Sequence, residues 1–184
     1  MLRLFSKIVS AQKTVTLLDP QSKDADFSAI GSALREKVGR LFSGSLAIRV
    51  VTAGSTNACE QELIALGNAY YDVERFGVHI VASPRHADML IVTGPVSRNM
   101  AEALRKSYNA TPDPKIVVAL GDDAIDGGIF KGSYAVMDGA KGVIPVDYTI
   151  PGDPPSPTVI LSSLLAILTD IETNGLPSKR AHIH

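Results

Sequence analysis

An α/β domain with a mostly parallel, doubly wound sheet is the fold this sequence predicts. Two observations carry that expectation. Five short runs rich in β-branched residues alternate with helical patterns, which argues for a parallel sheet covered on both faces. The chain of 184 residues, with 45% hydrophobic and 20% charged residues, is long enough for one compact domain and short extensions. The sheet is expected to be flavodoxin-like, preceded by an amphipathic extension.

Residues 1–18 contain no acidic side chain, and Leu2, Leu4, Phe5, Ile8 and Val9 recur at helical spacing between Arg3, Lys7 and Lys13. Such a basic amphipathic segment suits a peripheral contact with an anionic membrane surface or a partner. Packing on its own domain is the plainer alternative. Residues 19–26 are polar and include Pro20, which predicts a linker, and 27–42 predicts a short helix. Strands are expected over 46–51, 78–82, 88–93, 115–120 and 143–148. Helices are expected over 59–66, 96–108 and 158–173. The domain organisation read this way is 1–45 for extension and linker, 46–173 for the α/β domain, and 174–184 for a tail whose His182 and His184 are expected to be exposed.

Charge and composition exclude several classes. Residues 1–49 hold eight Lys/Arg against four Asp/Glu, and the remainder ten against fifteen, so the body lacks the basic patch that nucleic-acid binding needs. The single cysteine, Cys59, cannot form an internal disulfide or an all-thiolate metal site alone. No apolar run approaches the ~18 residues that suggest a membrane span. No Ser-His-Asp, zinc or phosphate-loop spacing stands out, and Gly127-Gly128 is too weak a nucleotide signal.

In such a sheet ligands sit beyond the carboxyl ends of the strands. Three glycine-containing loops are expected there: 54–59, 121–123 and 151–155. The first, Gly54-Ser55-Thr56-Asn57-Ala58-Cys59-Glu60, runs from a strand into a helix start. It resembles the cluster-binding turn of the small subunits of group 4 membrane-bound [NiFe] hydrogenases and of the 20-kDa subunit of respiratory complex I. Further segments support the resemblance in order: Tyr71-Asp72-Val73-Glu74-Arg75-Phe76-Gly77, Ser83-Pro84-Arg85-His86-Ala87-Asp88, Thr93-Gly94-Pro95-Val96, Gly127-Gly128-Ile129-Phe130 and Ile144-Pro145-Val146-Asp147.

The resemblance implies one [4Fe-4S] cluster held by four cysteines at the positions of Thr56, Cys59, Asp123 and Asp153, of which only Cys59 is a cysteine here. Thiolates suit iron-sulfur clusters as soft anionic donors, whereas threonine is a poor ligand and aspartate an occasional one. The expectation is therefore a degenerate site and no cofactor. Cys59, Asp123 and Asp153 could alternatively hold a hard cation, or the aspartates could simply be solvated. Glu60 could relay protons, as the resemblance suggests, or serve the helix dipole. Cys59 could be reactive at a helix start or simply a small buried side chain. Arg85, His86 and Pro154 are expected on a partner face, with a surface ion pair the alternative for Arg85.

By resemblance, the chain is expected to be a subunit beside a hydrogenase or complex I large-subunit homologue, with other subunits of a membrane-bound complex. It would lie in the cytoplasm, peripheral to the membrane, as part of an oxidoreductase complex. Two rivals are an electron-transfer subunit with a degenerate [4Fe-4S] cluster and a free-standing metal- or anion-binding module.

Overall fold

The computed structural model describes residues 20–176, with side chains from residue 26 onward. The amphipathic stretch before residue 20 and most of the expected tail lie outside the described residues.

The first described element is helix α1 (Pro20–Leu41). Its opening residues were expected to be a linker. The helix runs through them because proline is tolerated in a first turn, where its missing N–H would have no partner anyway. Phe27, Leu34 and Val38 are buried against the body. Near the end of α1, Lys37 and Arg40 both reach Glu172, at 2.6 and 2.7 Å.

The five strands are β1 (Leu46–Thr52), β2 (Val78–Ile80), β3 (Met89–Thr93), β4 (Ile116–Leu120) and β5 (Tyr148–Ile150). They form one parallel sheet in the order β2-β1-β3-β4-β5. That is the flavodoxin-like order, and its topological switch lies between β1 and β3. β3 and β4 are buried at every residue, as expected for central strands covered on both faces.

One face is covered by α1, α2 (Ala58–Leu66) and α5 (Pro157–Asn174), whose apolar side chains share a core with Leu46, Ile48, Met89, Ile91 and Ile116. The other is covered by α3 (Arg98–Ala110), the short α4 (Asp122–Asp126) and the segment around Val143 and Ile144. α3 ends over buried Lys115, whose ammonium donates to Tyr108 O (2.9 Å) and Thr111 O (2.8 Å). A helix end leaves its last carbonyls short of intrahelical partners, and Tyr108 O otherwise has only a long 3.3 Å bond from Thr111 N–H.

Three expectations shift. The strand expected over 143–148 forms only from Tyr148. Asp147 bonds β4 with its own N–H to Val117 O, while its carboxylate accepts from Val117 N–H, so a side chain replaces the ladder there. Val143 and Ile144 are buried as irregular chain instead. The helix expected from residue 96 starts at Arg98, after Val96 takes a positive φ of 57°. The loop after β4 turns at once into α4.

The register sets the ends level: Thr52 pairs with Thr93, Thr93 with Leu120, and Leu120 with Ile150. The loops that follow these four residues therefore emerge at one end of the sheet.

Candidate functional site: the crevice at the carboxyl ends of the strands

The three glycine-containing loops converge as the sequence predicts. The turns after β4 and β5 are stapled together: Gly121 N–H donates to Ile150 O (2.8 Å), Asp122 N–H to Gly152 O (3.0 Å), and Gly152 N–H to the Asp122 carboxylate (2.9 Å). Cys59, the second residue of α2, packs onto this staple. A Cβ on Gly121 would stand 2.5 Å from Cys59 Sγ and 3.3 Å from Gly152 O. Gly121 also has φ +88°, where a side chain is strained.

Glu60 is buried beside Cys59. Ser55 Oγ donates to Glu60 Oε1 at 2.6 Å, and Thr93 Oγ1 donates to the same oxygen in a short bond. Ser55 Oγ also accepts from Asn57 N–H at 3.1 Å. Asn57 itself takes the left-handed conformation, φ 71°, before α2. Glu60 Oε2 is buried and lacks a hydrogen-bond partner. These bonds tie Glu60 to the ends of both β1 and β3, at the switch point. Ser55 could have been suspected from its nearness to Glu60 in sequence; Thr93 carried no local signal.

Asp123 is also buried, against Gly128, and among the described residues its carboxylate has no hydrogen-bond or ion-pair partner. Burial raises its pKa, and the charges of Asp153 and Asp122 raise it further. The Cys59 thiol is pushed up to about 11, first by burial and then by Glu60, Asp123, Asp153 and Asp122. Cys59 is thus a protonated thiol at neutral pH, not an activated thiolate.

Not every expected residue joins this crevice. Cys59, Asp123 and Asp153 do, and Glu60 borders it. Thr56, Asp153 and Pro154 are exposed at its mouth. Arg85 and His86 are exposed on a 3₁₀ turn, Pro84–His86, between β2 and β3. The chain leaves β2 at Ile80 and enters β3 at Met89, both paired with Ile48. That pairing lies four residues, roughly 13 Å, short of the end of β1. Arg85 and His86 are therefore separate from the crevice rather than part of its face.

The donor set decides what the crevice can hold. One thiol, two carboxylates and one hydroxyl do not fit a four-thiolate cluster. Among the described residues no three His, Cys, Asp or Glu side chains are grouped to hold a metal ion.

Residues 57–167 match the family model described as NADH ubiquinone oxidoreductase, 20 Kd subunit. The chain belongs to this family. It is 46% identical over 118 residues to a probable membrane-bound hydrogenase subunit, mbhJ, of Pyrococcus furiosus, covering 64% of this chain and 71% of that one. It is 38% identical over 142 residues to formate hydrogenlyase subunit 7 of Escherichia coli, covering 77% of this chain and 54% of that one. Among solved structures it resembles a chain of the membrane-bound sulfane sulfur reductase, an archaeal respiratory membrane complex. That match has a TM-score of 0.63 and 34% identity, and covers 71% of this chain and 72% of that chain. An NAD+-reducing [NiFe]-hydrogenase chain shares the fold at a TM-score of 0.53 and 19% identity, over 68% of this chain and 92% of that one. The chain is thus a homologue of the small subunits of membrane-bound hydrogenases and complex I. No helix among the described residues is long and apolar enough to cross a membrane.

Proposed function

We propose that this protein is a small-subunit homologue that works without a [4Fe-4S] cluster, as a structural or coupling subunit packed against a hydrogenase- or complex I-type large-subunit homologue. One observation carries the reading. The crevice keeps the three converging loops expected of a cluster site, while its sole thiol is protonated and surrounded by carboxylates. Carboxylates and a hydroxyl in place of three thiolates remove the soft donors such a cluster requires. Electrons would not pass through this chain.

Membership in the 20-kDa-subunit family, and relatives named as subunits of membrane-bound complexes, support a place in such a complex at the membrane surface. The side chain of Glu60, held by Ser55 and Thr93, would then serve the architecture of the switch point rather than a path beside a redox centre.

The test is anaerobic reconstitution of the purified chain with iron and sulfide. Iron and labile sulfide should stay far below about four of each per chain, the content of one such cluster. Purification through a tag on this chain should bring down a large-subunit homologue. A stoichiometric cluster with the matching paramagnetic signal after reduction would overturn the cluster-free reading. A monomer with no partner subunit would overturn the assembly.

A further inference from the structure

The crevice has a charge imbalance that the described residues do not answer. Glu60, Asp122, Asp123 and Asp153 all bear on the Cys59 thiol, and each pushes its proton affinity up; among the described residues no cation bears on it in the opposite sense. Asp122 spends one oxygen on Gly152 N–H. Asp123 has no partner among the described residues although it is only 8% exposed. Glu60 is equally buried, and Oε2, the oxygen not used by Ser55 and Thr93, is left without a donor. Leaving the buried Glu60 Oε2 without a donor, in a crevice that also gathers Asp123 and Asp153, is costly, so this arrangement calls for a cation from beyond the described residues.

The surroundings indicate what kind of cation. A free metal ion needs several oxygens at coordinating distance, and no such group is assembled among the described residues. A groove of about 630 Å³ opens beside Asp153, lined in part by Asp122, Pro151 and Ile129. Ile129 is 80% exposed and Tyr134 is 88% exposed. Tyr134 belongs to the same end of the sheet, since its carbonyl accepts from Arg98 at the start of α3. Carboxylates at the same end of the sheet as large exposed apolar side chains match a protein interface, whose contacts combine apolar area with complementary charge.

We propose that a basic side chain, arginine or lysine, of the neighbouring subunit enters the crevice and pairs with Asp123 and Asp153, beside Glu60 and Cys59. This rests on the reading of the chain as a subunit of a complex. It assigns to Asp123 and Asp153 the positive use of anchoring the partner through charge, where thiolates would have held a cluster. Ile129 and Tyr134 then pack at the edge of the same contact.

The native complex, purified through a tag on this chain, tests the proposal with D123N, D153N and the double variant. These near-isosteric changes remove like charges that repel one another, so the isolated double variant should be no less stable to urea than wild type. The complex should behave oppositely. The double variant should lose its partner at least about thirtyfold more readily, as for loss of one side of a buried ion pair. Its dissociation should also lose most of the salt dependence of wild type.

A double variant that holds its partner with wild-type affinity and salt response would overturn the basic side chain while leaving the subunit reading intact. So would tight, stoichiometric binding of Mg²⁺ or Mn²⁺ to the wild-type chain that D123N abolishes, since the crevice would then be a metal site. A wild-type chain that brings down no subunit at all would instead overturn the subunit reading, and this proposal with it.

Discussion

Replacing Gly121 with alanine puts the convergence of the crevice loops to a direct energetic test. The new Cβ would lie 2.5 Å from Cys59 Sγ, well inside van der Waals contact, at a residue with φ 88° and ψ 155°. That backbone region is nearly restricted to glycine, and occupying it with alanine costs about 1–3 kcal/mol. Forcing a methyl group against a packed sulfur adds about 1–3 kcal/mol of overpacking. G121A should therefore destabilise the chain by about 2–6 kcal/mol, a large share of the 5–15 kcal/mol typical of a folded domain. Only the second part depends on sulfur. In a C59A background the cost of G121A should fall by about 1–3 kcal/mol, because the alanine at 59 makes room. Urea unfolding of wild type, both single variants and the double variant, followed by circular dichroism, gives the four corners of the cycle. Additivity within about 0.5 kcal/mol would refute the contact between Cys59 and the turn after β4.

Other consequences follow from the same geometry. The Cys59 thiol should alkylate slowly in the folded protein, with a rate still climbing toward pH 11; a plateau near the ordinary thiol value of about 8.5 would contradict its carboxylate surroundings. Because the folded state holds that proton more tightly than the unfolded chain, stability should decline as pH rises from the ordinary thiol value through about 11, and C59A should lack this loss. For Asp123, raised by burial and by Asp153 and Asp122, the charged form costs folding energy, so D123N should unfold at higher urea than wild type at pH 7. That advantage should vanish as pH falls through the raised value into the ordinary carboxylate range, where both proteins are neutral at 123. K115M should cost about 1–3 kcal/mol in urea unfolding, since it strips the ammonium donor from Thr111 O and leaves Tyr108 O only its long bond from Thr111 N–H at the end of α3; a neutral result would mean that water reaches those carbonyls.

Most of the sheet was legible because its central strands are continuous apolar runs with little else they could be. Lys115 to Leu120 and Asp88 to Thr93 differ from the observed strands by a residue at the start. The fifth strand was not legible, since hydrophobicity alone does not separate a strand from buried irregular chain. Val143 and Ile144 are as buried as strand residues, but Asp147 supplies the bond to Val117 through its side chain and starts the ladder late. Asp88 plays the same part at the entrance of β3, where its carboxylate accepts from Ala47 N–H. A polar residue at the edge of an apolar run therefore marks a strand entrance in both places. Register also hid Thr93 as a partner of Glu60, because 33 residues separate them and only the pairing of Thr52 with Thr93 brings them together.

The chemistry of Cys59 shows why position in the sequence was a poor guide at the site itself. A cysteine at the start of a helix should gain thiolate character, because the helix dipole favours negative charge there. That effect is worth about 0.3–1 kcal/mol in ordinary exposed settings. Against it stand burial and four carboxylates, which together carry the thiol to about 11. A change of that size corresponds to on the order of 3 kcal/mol, several times the dipole effect. Two of those carboxylates, Asp123 and Asp153, occupy the positions where the family resemblance places ligands. The replacements do more than remove donors from a cluster: they also suppress the anionic form of the thiol that remains. A single restored cysteine at 123 would therefore still face Asp153, Asp122 and Glu60. Restoring thiolate chemistry here requires removing the carboxylates together with adding the sulfurs.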